Sequence, residues 1–249
     1  MVGLSYFGKN ALDKGNAFLL KPPASGQTAW IYKDIYDFQG GNDGSYPMAS
    51  VIAGPNGVLY GTTTEGGTAN AGTVYSLTPP HTGHPNWTET VLYSFQSGSD
   101  GATPEASLTL GKNGILYGTT KDGGIYGSGT VFSLSPPVVG SETWTETILL
   151  PFNFNDGYFP VASLIITVNG SLIGAASGGG TNNTGQIFEL TPPTNGSTAW
   201  TDTTLYQFTG VNDGGLPEGA VLASGKTYFG TAIRGGKGDD GVIFSLTSP

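Results

Sequence analysis

Hydrophobic and polar residues alternate in short runs along the chain. Within residues 87–137 four such runs follow one another, here labelled a to d: TETVLYSF (88–95), ASLTL (106–110), ILYGTT (115–120) and TVFSLS (130–135). They are rich in β-branched, aromatic or alternating apolar residues, as is typical of half-buried strands. The 3.6-residue periodicity of an amphipathic helix is not seen in them. The pattern therefore predicts four short β-strands.

Glycine, asparagine and proline mark the ends of these runs. Asn56-Gly57, Asn113-Gly114 and Asn169-Gly170 separate b from c, and both residues of such a pair readily take positive φ. We therefore expect b and c to be antiparallel neighbours. A glycine doublet such as Gly123-Gly124 opens a variable loop between c and d. A proline pair such as Pro136-Pro137 ends d, because proline has no N–H for a ladder.

The four runs repeat about every 57 residues. The same spacing relates four tryptophans, each followed eight residues later by a phenylalanine: Trp30, Trp87, Trp144 and Trp200. We interpret the chain as a single repeat domain, 1–249, with a partial unit at 1–23 and full units at 24–80, 81–137, 138–193 and 194–249. Units of four antiparallel strands that cover one another are typical of β-propeller blades.

The expected fold class is all-β, a β-propeller of four-stranded antiparallel blades, with five blades and incomplete terminal blades as the preferred arrangement. The partial unit supplies only c and d, which leaves two strands missing from five complete blades. Either a five-bladed ring closes with incomplete blades, or another molecule completes the open strand edges. An open solenoid of stacked units is a further alternative.

Composition narrows the classes of function. Glycine accounts for 42 of 249 residues and charged residues for only 11 %, which indicates many turns and a neutral polar surface. The net charge is −9 and Arg234 is the only arginine, so the sequence lacks the basic surface that nucleic acid requires. Cysteine is absent, which excludes disulfides and thiolate metal sites. No apolar run is long enough for a membrane span, and MVGLSYFGKN lacks the apolar core of a signal peptide, so no membrane insertion is expected.

The segment LYGTT..GG....G.GTVFSL.P, followed by LYSF..GSDG..P, resembles the Gloeo/Verruco (GloVer) tandem repeat of bacterial proteins. The resemblance covers nearly the whole chain. It is clearest at Tyr60–Thr63 and Tyr117–Thr120 and decays to Ile173–Ala176 and Phe229–Ala232. It implies a secreted or surface-displayed repeat protein, and therefore an extracellular or cell-surface location, and it implies no catalytic residues. The glycine doublets and recurring Tyr and Trp are also loosely similar to kelch repeats, a likeness of architecture alone.

Two motifs raise the question of a metal. His81 and His84 form an H-x-x-H, but a structural zinc site has four ligands and no third is evident nearby, so a solvated loop is preferred. An Asp-Gly pair recurs in each of the four full units, at Asp43, Asp100, Asp156 and Asp213. A calcium loop needs several carboxylates at alternate positions, whereas each copy here has one. A turn is therefore preferred, with calcium as the weaker alternative and no other cofactor expected.

Function on a repeat scaffold is expected where the copies differ, on loops. The c-to-d loops vary most, and they supply the ligand-binding candidates: Glu65, Lys121, Asp122, Tyr126, Asn182, Arg234 and Asp239. If these loops share one face, they form a polar surface suited to a carbohydrate or a protein. The periodic tryptophans are an alternative set of sugar-stacking rings, although a residue needed in every copy more often packs between copies.

The preferred function is a non-catalytic extracellular β-propeller that binds glycans or a protein partner through variable loops. One alternative is a structural protein that forms homo-oligomers or fibres by pairing open strand edges between chains. Another is a carbohydrate-active enzyme, for which the available carboxylates are Glu65, Asp122, Asp239 and Asp240. The spacing of these acids does not fix any two of them on opposite sides of a substrate. No histidine is positioned to act as the base for a nucleophile, so no catalytic residue is assigned.

Overall fold

The computed structural model of the chain describes residues 1–8, 12–194 and 197–247. These residues form eighteen strands and four single-turn 3-10 helices. The strands are β1 (Val2–Ser5), β2 (Asn16–Lys21), β3 (Ile31–Asp37), β4 (Ile52–Ala53), β5 (Leu59–Thr63), β6 (Thr73–Thr78), β7 (Thr88–Ser94), β8 (Thr109–Leu110), β9 (Leu116–Thr120), β10 (Thr130–Ser135), β11 (Thr145–Pro151), β12 (Ile165–Ile166), β13 (Leu172–Ala176), β14 (Gln186–Thr191), β15 (Thr201–Gln207), β16 (Leu222–Ser224), β17 (Thr227–Ala232) and β18 (Val242–Thr247). In this described part of the chain, none of the helices is long and apolar enough to cross a membrane.

The described strands pair into five antiparallel sheets, numbered 1 to 5 in chain order. Sheets 2, 3 and 4 have four strands each, namely β4 to β7, β8 to β11 and β12 to β15. Sheets 1 and 5 have three strands each, β1 to β3 and β16 to β18. The predicted all-β class of short antiparallel sheets, with five sheets among the described residues and one strand fewer in each terminal sheet, is thus confirmed.

Runs b and c are antiparallel neighbours, as predicted. In sheet 3, Thr109 pairs with Tyr117 across a turn in which Asn113 and Gly114 take φ of 57° and 77°. The b strands are shorter than the sequence suggests, since β8 covers only the last two residues of 106–110. At Asn169-Gly170 only the glycine has positive φ, at 87°.

Each sheet is offset by one strand from the sequence repeat. In sheet 3, β8 to β10 carry runs b, c and d of one unit, and β11 carries run a of the next. Pro136-Pro137 follows the end of β10, as predicted, and the chain then turns back. Thr130–Ser135 consequently pairs antiparallel with Thr145–Pro151, with one β-bulge. The repeat boundary therefore lies inside a hairpin and not between two sheets.

The chain divides into two compact units, Met1–Gln96 with sheets 1 and 2 and Ser97–Pro249 with sheets 3, 4 and 5.

One face of each sheet, here called the aromatic face, carries the large ring of run d: Phe18, Tyr75, Phe132, Phe188 and Phe244. The opposite face, here called the aliphatic face, carries the residue that precedes this ring in the sequence: Ala17, Val74, Val131, Ile187 and Ile243. Within the units, the aromatic faces of sheets 2, 4 and 5 pack on the aliphatic faces of sheets 1, 3 and 4, respectively.

The recurring glycine of run c makes room for the ring of run d. A Cβ on Gly118 would lie 2.6 Å from Cζ of Phe132, its cross-strand partner. A Cβ on Gly174 would lie 2.4 Å from the ring of Phe188. Any larger residue would displace a ring that is fully buried. The Tyr-Gly-Thr-Thr motif therefore reflects packing within each sheet.

Within each unit, the phenylalanine that follows run a joins one sheet to the next: Phe38, Phe152 and Phe208. These rings are at most 2 % exposed, and they meet the run-d ring of the next sheet edge to face. The centroids lie 5.0 to 5.2 Å apart: Phe38 with Tyr75, Phe152 with Phe188, and Phe208 with Phe244. Such a contact adds about 0.5–1.5 kcal/mol to the burial of the rings themselves.

The periodic tryptophans do not all have the same surroundings. Trp87 packs against the core of the first unit, and Trp200 meets Tyr117 edge to face, with centroids 6.2 Å apart. Both contacts join neighbouring sheets, in agreement with the packing interpretation. Trp30, in contrast, is 57 % exposed.

Candidate functional site

The loop after each run a docks onto the c-to-d loop of the next sheet. The Ala102 N–H donates to the carbonyl oxygen of Asp122 at 2.8 Å, and the Asp122 N–H donates to that of Ala102 at 3.0 Å. Gly123 approaches so closely that a Cβ on it would lie 2.6 Å from Cα of Gly101. Equivalent bridges join Ser45 with Glu65, Tyr158 with Gly178, and Gly215 with Arg234. The loop with the Asp-Gly motif and the loop with the Gly-Gly motif thus contact each other.

Aspartates of these docking loops brace their own turns. The carboxylate of Asp43 accepts a hydrogen bond from the backbone N–H of Gln39 at 2.6 Å and another from the hydroxyl of Tyr36. The carboxylate of Asp213 accepts a hydrogen bond from the N–H of Thr209 at 2.8 Å. Across residues 1–8, 12–194 and 197–247, no group of three or more His, Cys, Asp and Glu is placed to hold a metal ion.

His81 and His84 close a tight turn on each other. The backbone N–H of each donates to the carbonyl oxygen of the other at 2.9 Å. Their rings stack with centroids 4.8 Å apart. The motif is thus part of an exposed hairpin loop between β6 and β7.

One residue of each docking loop holds a left-handed backbone conformation directly before a proline: Tyr46, Thr103, Phe159 and Leu216, with φ of 53° to 60°. Bulky residues rarely adopt this conformation, and the following proline restricts the backbone further. At Phe159 two backbone hydrogen bonds stabilise it. The Phe159 N–H donates to the carbonyl oxygen of Ser128 at 3.1 Å, and the Phe159 carbonyl accepts from the N–H of Ser177 at 3.1 Å. The variable side chain at this position is therefore displayed from a rigid backbone.

A group of aromatic rings surrounds this position in the second unit, here called the aromatic platform: Phe154, Tyr158 and Phe159. Phe154 is 62 % exposed and stacks on Tyr158, with centroids 4.9 Å and planes 19° apart. Tyr158 meets Phe159 edge to face at 4.8 Å. Together with Gly127 and Ser128 of the c-to-d loop, the platform lines a shallow cavity of about 280 Å³.

An ion pair borders the platform. Nζ of Lys121 lies 2.9 Å from Oε1 of Glu105 and 5.8 Å from the ring centroid of Phe159. The hydrogen bond to Glu105 raises the pKa of Lys121, so the ammonium group stays charged across the neutral range. The site thus combines apolar ring faces with two polar groups whose charges balance.

Three of the predicted ligand-binding residues lie in the loop that borders the platform: Lys121, Asp122 and Tyr126. Asp122 is half-buried, and Tyr126 is 59 % exposed beside Gly127 of the cavity. Tyr126 therefore adds a second exposed ring to the surface around the cavity.

The other predicted candidates are placed elsewhere. Glu65 lies in the first unit and is exposed, and its backbone bridges to Ser45. Asn182 and Arg234 are exposed in the loops of sheets 4 and 5. Asp239 is engaged within its own loop, where its carboxylate accepts a hydrogen bond from the N–H of Gly235 at 2.6 Å. Asp239 therefore shapes the loop in addition to being available at its surface.

Glu105 and the three rings of the platform were not selected from the sequence. The signal was present in NFNDGYFP (153–160), which places aromatic residues where QSGSDGATP (96–104) has small and polar ones. Variation was expected in the c-to-d loops, whereas the docking loops were assigned to turns. The structure brings the two kinds of loop together.

The first unit carries a related aromatic group. Tyr6 stacks on Tyr46, with centroids 4.8 Å apart, and meets Phe7 edge to face at the same distance. Phe7 is 62 % exposed. Nζ of Lys14 donates a hydrogen bond to the hydroxyl of Tyr46 at 3.1 Å. Since Tyr46 is the counterpart of Phe159, each unit presents exposed rings at the same kind of junction.

Three partly buried acidic residues were also not selected from the sequence. Each lies two residues after a periodic tryptophan: Glu89, Glu146 and Asp202. Burial raises the pKa of Glu89 to about 8, and the neighbouring carboxyl of Asp43 adds to the rise. Burial likewise raises the pKa of Glu146 to about 8 and that of Asp202 to about 6. Each has one buried carboxyl oxygen that lacks a hydrogen-bond partner in the described part of the chain. Because the arrangement recurs in sheets 2, 3 and 4, it belongs to the scaffold of the repeat.

No protein-family model and no curated protein matches the sequence. Among solved structures, the chain is similar to a protein of unknown function from Dyadobacter fermentans, with a TM-score of 0.50 and 14 % identity over 96 % of this chain and 70 % of that one. It is also similar to an alpha-L-arabinofuranosidase from Lactobacillus brevis, with a TM-score of 0.48 and 13 % identity over 97 % of this chain and 83 % of that one. At these identities the first likeness concerns the fold alone, and the second carries no argument.

Proposed function

We propose that the chain is a non-catalytic carbohydrate-binding module, displayed outside the cell, that recognises neutral glycans at the aromatic platform. The observation that carries this proposal is the exposed ring of Phe154, which stacks on the half-buried ring of Tyr158 beside the cavity. A large apolar ring left in water gains free energy when a ligand covers it. The C–H groups on one face of a pyranose pack well on the electron-rich face of an aromatic ring.

The polar groups around the platform suit a sugar as well. Lys121 and Glu105 provide a donor and an acceptor 2.9 Å apart at the edge of the rings. Their opposite charges balance, so the site favours a neutral ligand over a strongly charged one. A few directed polar groups beside apolar walls are the usual composition of a small-ligand site.

The rigid backbone of the site favours affinity. Phe159 is held in its left-handed conformation by hydrogen bonds to Ser128 and Ser177, so little conformational entropy is lost when a ligand orders the surface. The site is shallow, at about 280 Å³, which suits a segment of a polysaccharide lying on the surface better than an engulfed molecule.

The proposal is tested by affinity electrophoresis against a panel of neutral soluble polysaccharides, including xylan, mannan, arabinan, galactan and mixed-linkage β-glucan. At least one should retard the protein. Phe154→Ala should weaken the affinity measured from that retardation about fivefold, since the loss of one aromatic stack costs on the order of 1 kcal/mol. The Phe7→Ala/Phe154→Ala double variant should remove any contribution of the related group in the first unit.

Val139→Ala is the matched control, because Val139 is a fully exposed loop residue of the same unit outside the platform. Circular dichroism should show all variants folded. If no polysaccharide retards the protein, or if Phe154→Ala behaves like Val139→Ala, the proposal is wrong.

A further inference from the structure

The aliphatic face of sheet 5 is more exposed than the aliphatic faces of sheets 3 and 4 in the same unit. Ile243 is 85 % exposed, whereas its counterparts Val131 and Ile187 in sheets 3 and 4 are completely buried. On the same face, Leu222 is 68 % and Phe229 is 41 % exposed. Three large apolar side chains are thus presented together on one flat sheet surface.

Sheet 1 has an exposed aromatic face. Trp30 is 57 % and Tyr32 is 39 % exposed. Phe18 is half-buried and stacks on Tyr32 with centroids 5.2 Å apart, whereas its counterparts Phe132 and Phe188 are completely buried. The two uncovered surfaces are therefore of opposite kinds, one aliphatic and one aromatic.

The internal repeat shows how these two kinds of face fit together. Between sheets 3 and 4, Trp200 on the aromatic face meets Tyr117 on the aliphatic face. Between sheets 4 and 5, Ile187 lies in one hydrophobic cluster with Val242 and Phe244. In the repeat, Trp30 corresponds to Trp200, Phe229 to Tyr117 and Ile243 to Ile187. The exposed residues thus supply both halves of a contact that the chain already makes internally.

We propose that the aliphatic face of sheet 5 binds the aromatic face of sheet 1 of a second copy of this chain. Trp30 of one copy then packs on Phe229 of the other, and Ile243 lies beneath Phe18 of the neighbouring copy. The contact joins two different surfaces, so it is heterologous and generates a ring of chains or a growing polymer. It uses sheet faces, in contrast to the pairing of strand edges considered from the sequence.

A second copy is the occupant best matched to these faces, because shape and chemistry have already been selected in the internal contacts. An unrelated ligand would have to present apolar groups with the same spacing that Trp200 and Phe188 have on the aromatic face of sheet 4. On the aliphatic face, Leu222, Phe229 and Ile243 are all apolar. On the aromatic face, Asp34 is the cross-strand partner of Phe18, and its carboxylate accepts hydrogen bonds from the Tyr32 hydroxyl and the Asn16 amide, so it stays hydrogen-bonded when the faces meet.

The test uses light scattering after size exclusion, over a concentration range from micromolar to submillimolar. The unaltered chain should show a mass that rises above 25.6 kDa with concentration. Ile243→Glu and Trp30→Glu should each remain monomeric alone, because each destroys one of the two surfaces. Mixed together they should form a one-to-one dimer and nothing larger, since each contributes one intact surface.

Val139→Glu is the control, as it adds the same charge at an exposed site outside both faces and should assemble like the unaltered chain. Thermal melts establish that Ile243→Glu and Trp30→Glu are folded, and the dimer in the mixture confirms that their intact faces work. A mass of 25.6 kDa for the unaltered chain at every concentration overturns the proposal and points to coverage of both faces within one chain. Assembly of Ile243→Glu alone would overturn it equally.

Discussion

Replacement of Gly123 by alanine tests the docking of one loop on the next. Gly123 has φ of 75°, and a Cβ there would lie 2.6 Å from Cα of Gly101 and 2.9 Å from the backbone nitrogen of Ala102. Gly127, in the same loop, has φ of 71° but no atom within 4 Å of a Cβ. Gly123→Ala and Gly127→Ala therefore impose the same backbone strain, and only the first opposes a neighbouring backbone.

The expected magnitudes follow from these contacts. A left-handed conformation costs alanine roughly 1–2 kcal/mol, and the stiffer unfolded chain returns about 0.4–1 kcal/mol, so Gly127→Ala should destabilise by about 1 kcal/mol. At Gly123 the loops must also separate by about 1 Å to reach ordinary carbon contact distances. The separation strains the two hydrogen bonds between Ala102 and Asp122, at roughly 0.5–1.5 kcal/mol each. Gly123→Ala should therefore destabilise by about 2–4 kcal/mol.

Urea unfolding followed by tryptophan fluorescence gives the free energy of unfolding of each variant. Hydrogen exchange adds a local readout, because the amides of Ala102 and Asp122 should exchange faster in Gly123→Ala and normally in Gly127→Ala. Equal destabilisation by the two substitutions, with unchanged exchange at the bridge, would refute the reasoning. The glycine doublet would then be explained by backbone conformation alone.

Three further outcomes are expected. Tyr75→Phe should raise the free energy of unfolding by about 1 kcal/mol in urea titrations, because the buried Tyr75 hydroxyl has no hydrogen-bond partner among the described residues. The other four sheets carry phenylalanine at the same position. A loss of stability would contradict this prediction. The folded pKa of about 8 for Glu89 and Glu146 lies above the ordinary 4.5, so the folded state binds more protons between these values and the melting temperature should fall as pH rises from 5 to 9. Glu146→Gln should reduce that fall, and an unchanged pH profile would show that the carboxyl titrates normally. Phe188→Ala should destabilise by about 3–5 kcal/mol, as measured by urea unfolding, because its ring is completely buried, whereas exposed Phe154→Ala should change stability by less than about 0.5 kcal/mol.

The sheets could be predicted from the sequence because their determinants are local. The asparagine and glycine at Asn113-Gly114 predict the turn between b and c, and the proline pair at Pro136-Pro137 predicts the end of d. The partner of run a could not be predicted, since a hairpin within one unit and one across the repeat boundary have similar loop lengths. In the structure β11 pairs with β10, and the ring of Phe152 at the end of β11 meets Phe188 of the following sheet, a contact between segments distant in sequence.

The candidate site was predicted less completely. Lys121, Asp122 and Tyr126 were selected because their loop varies between copies. Phe159 was not, because its position at the cavity depends on a left-handed conformation that a bulky residue before proline rarely adopts. Hydrogen bonds from two separate loops stabilise that conformation, and a contact between segments distant in sequence is not visible in a local pattern of residues.

Because each sheet is offset by one strand from the sequence repeat, a cut by a protease at a repeat boundary should not separate two sheets. Val138 and Val139, in the loop after Pro136-Pro137, are among the most exposed side chains, and a protease that cuts there severs the sequence at a repeat boundary. The cut does not separate two blades, because the strands on either side, Thr130–Ser135 and Thr145–Pro151, remain hydrogen-bonded in one sheet. A nicked chain should therefore hold its two fragments together in native conditions and release them only in denaturant.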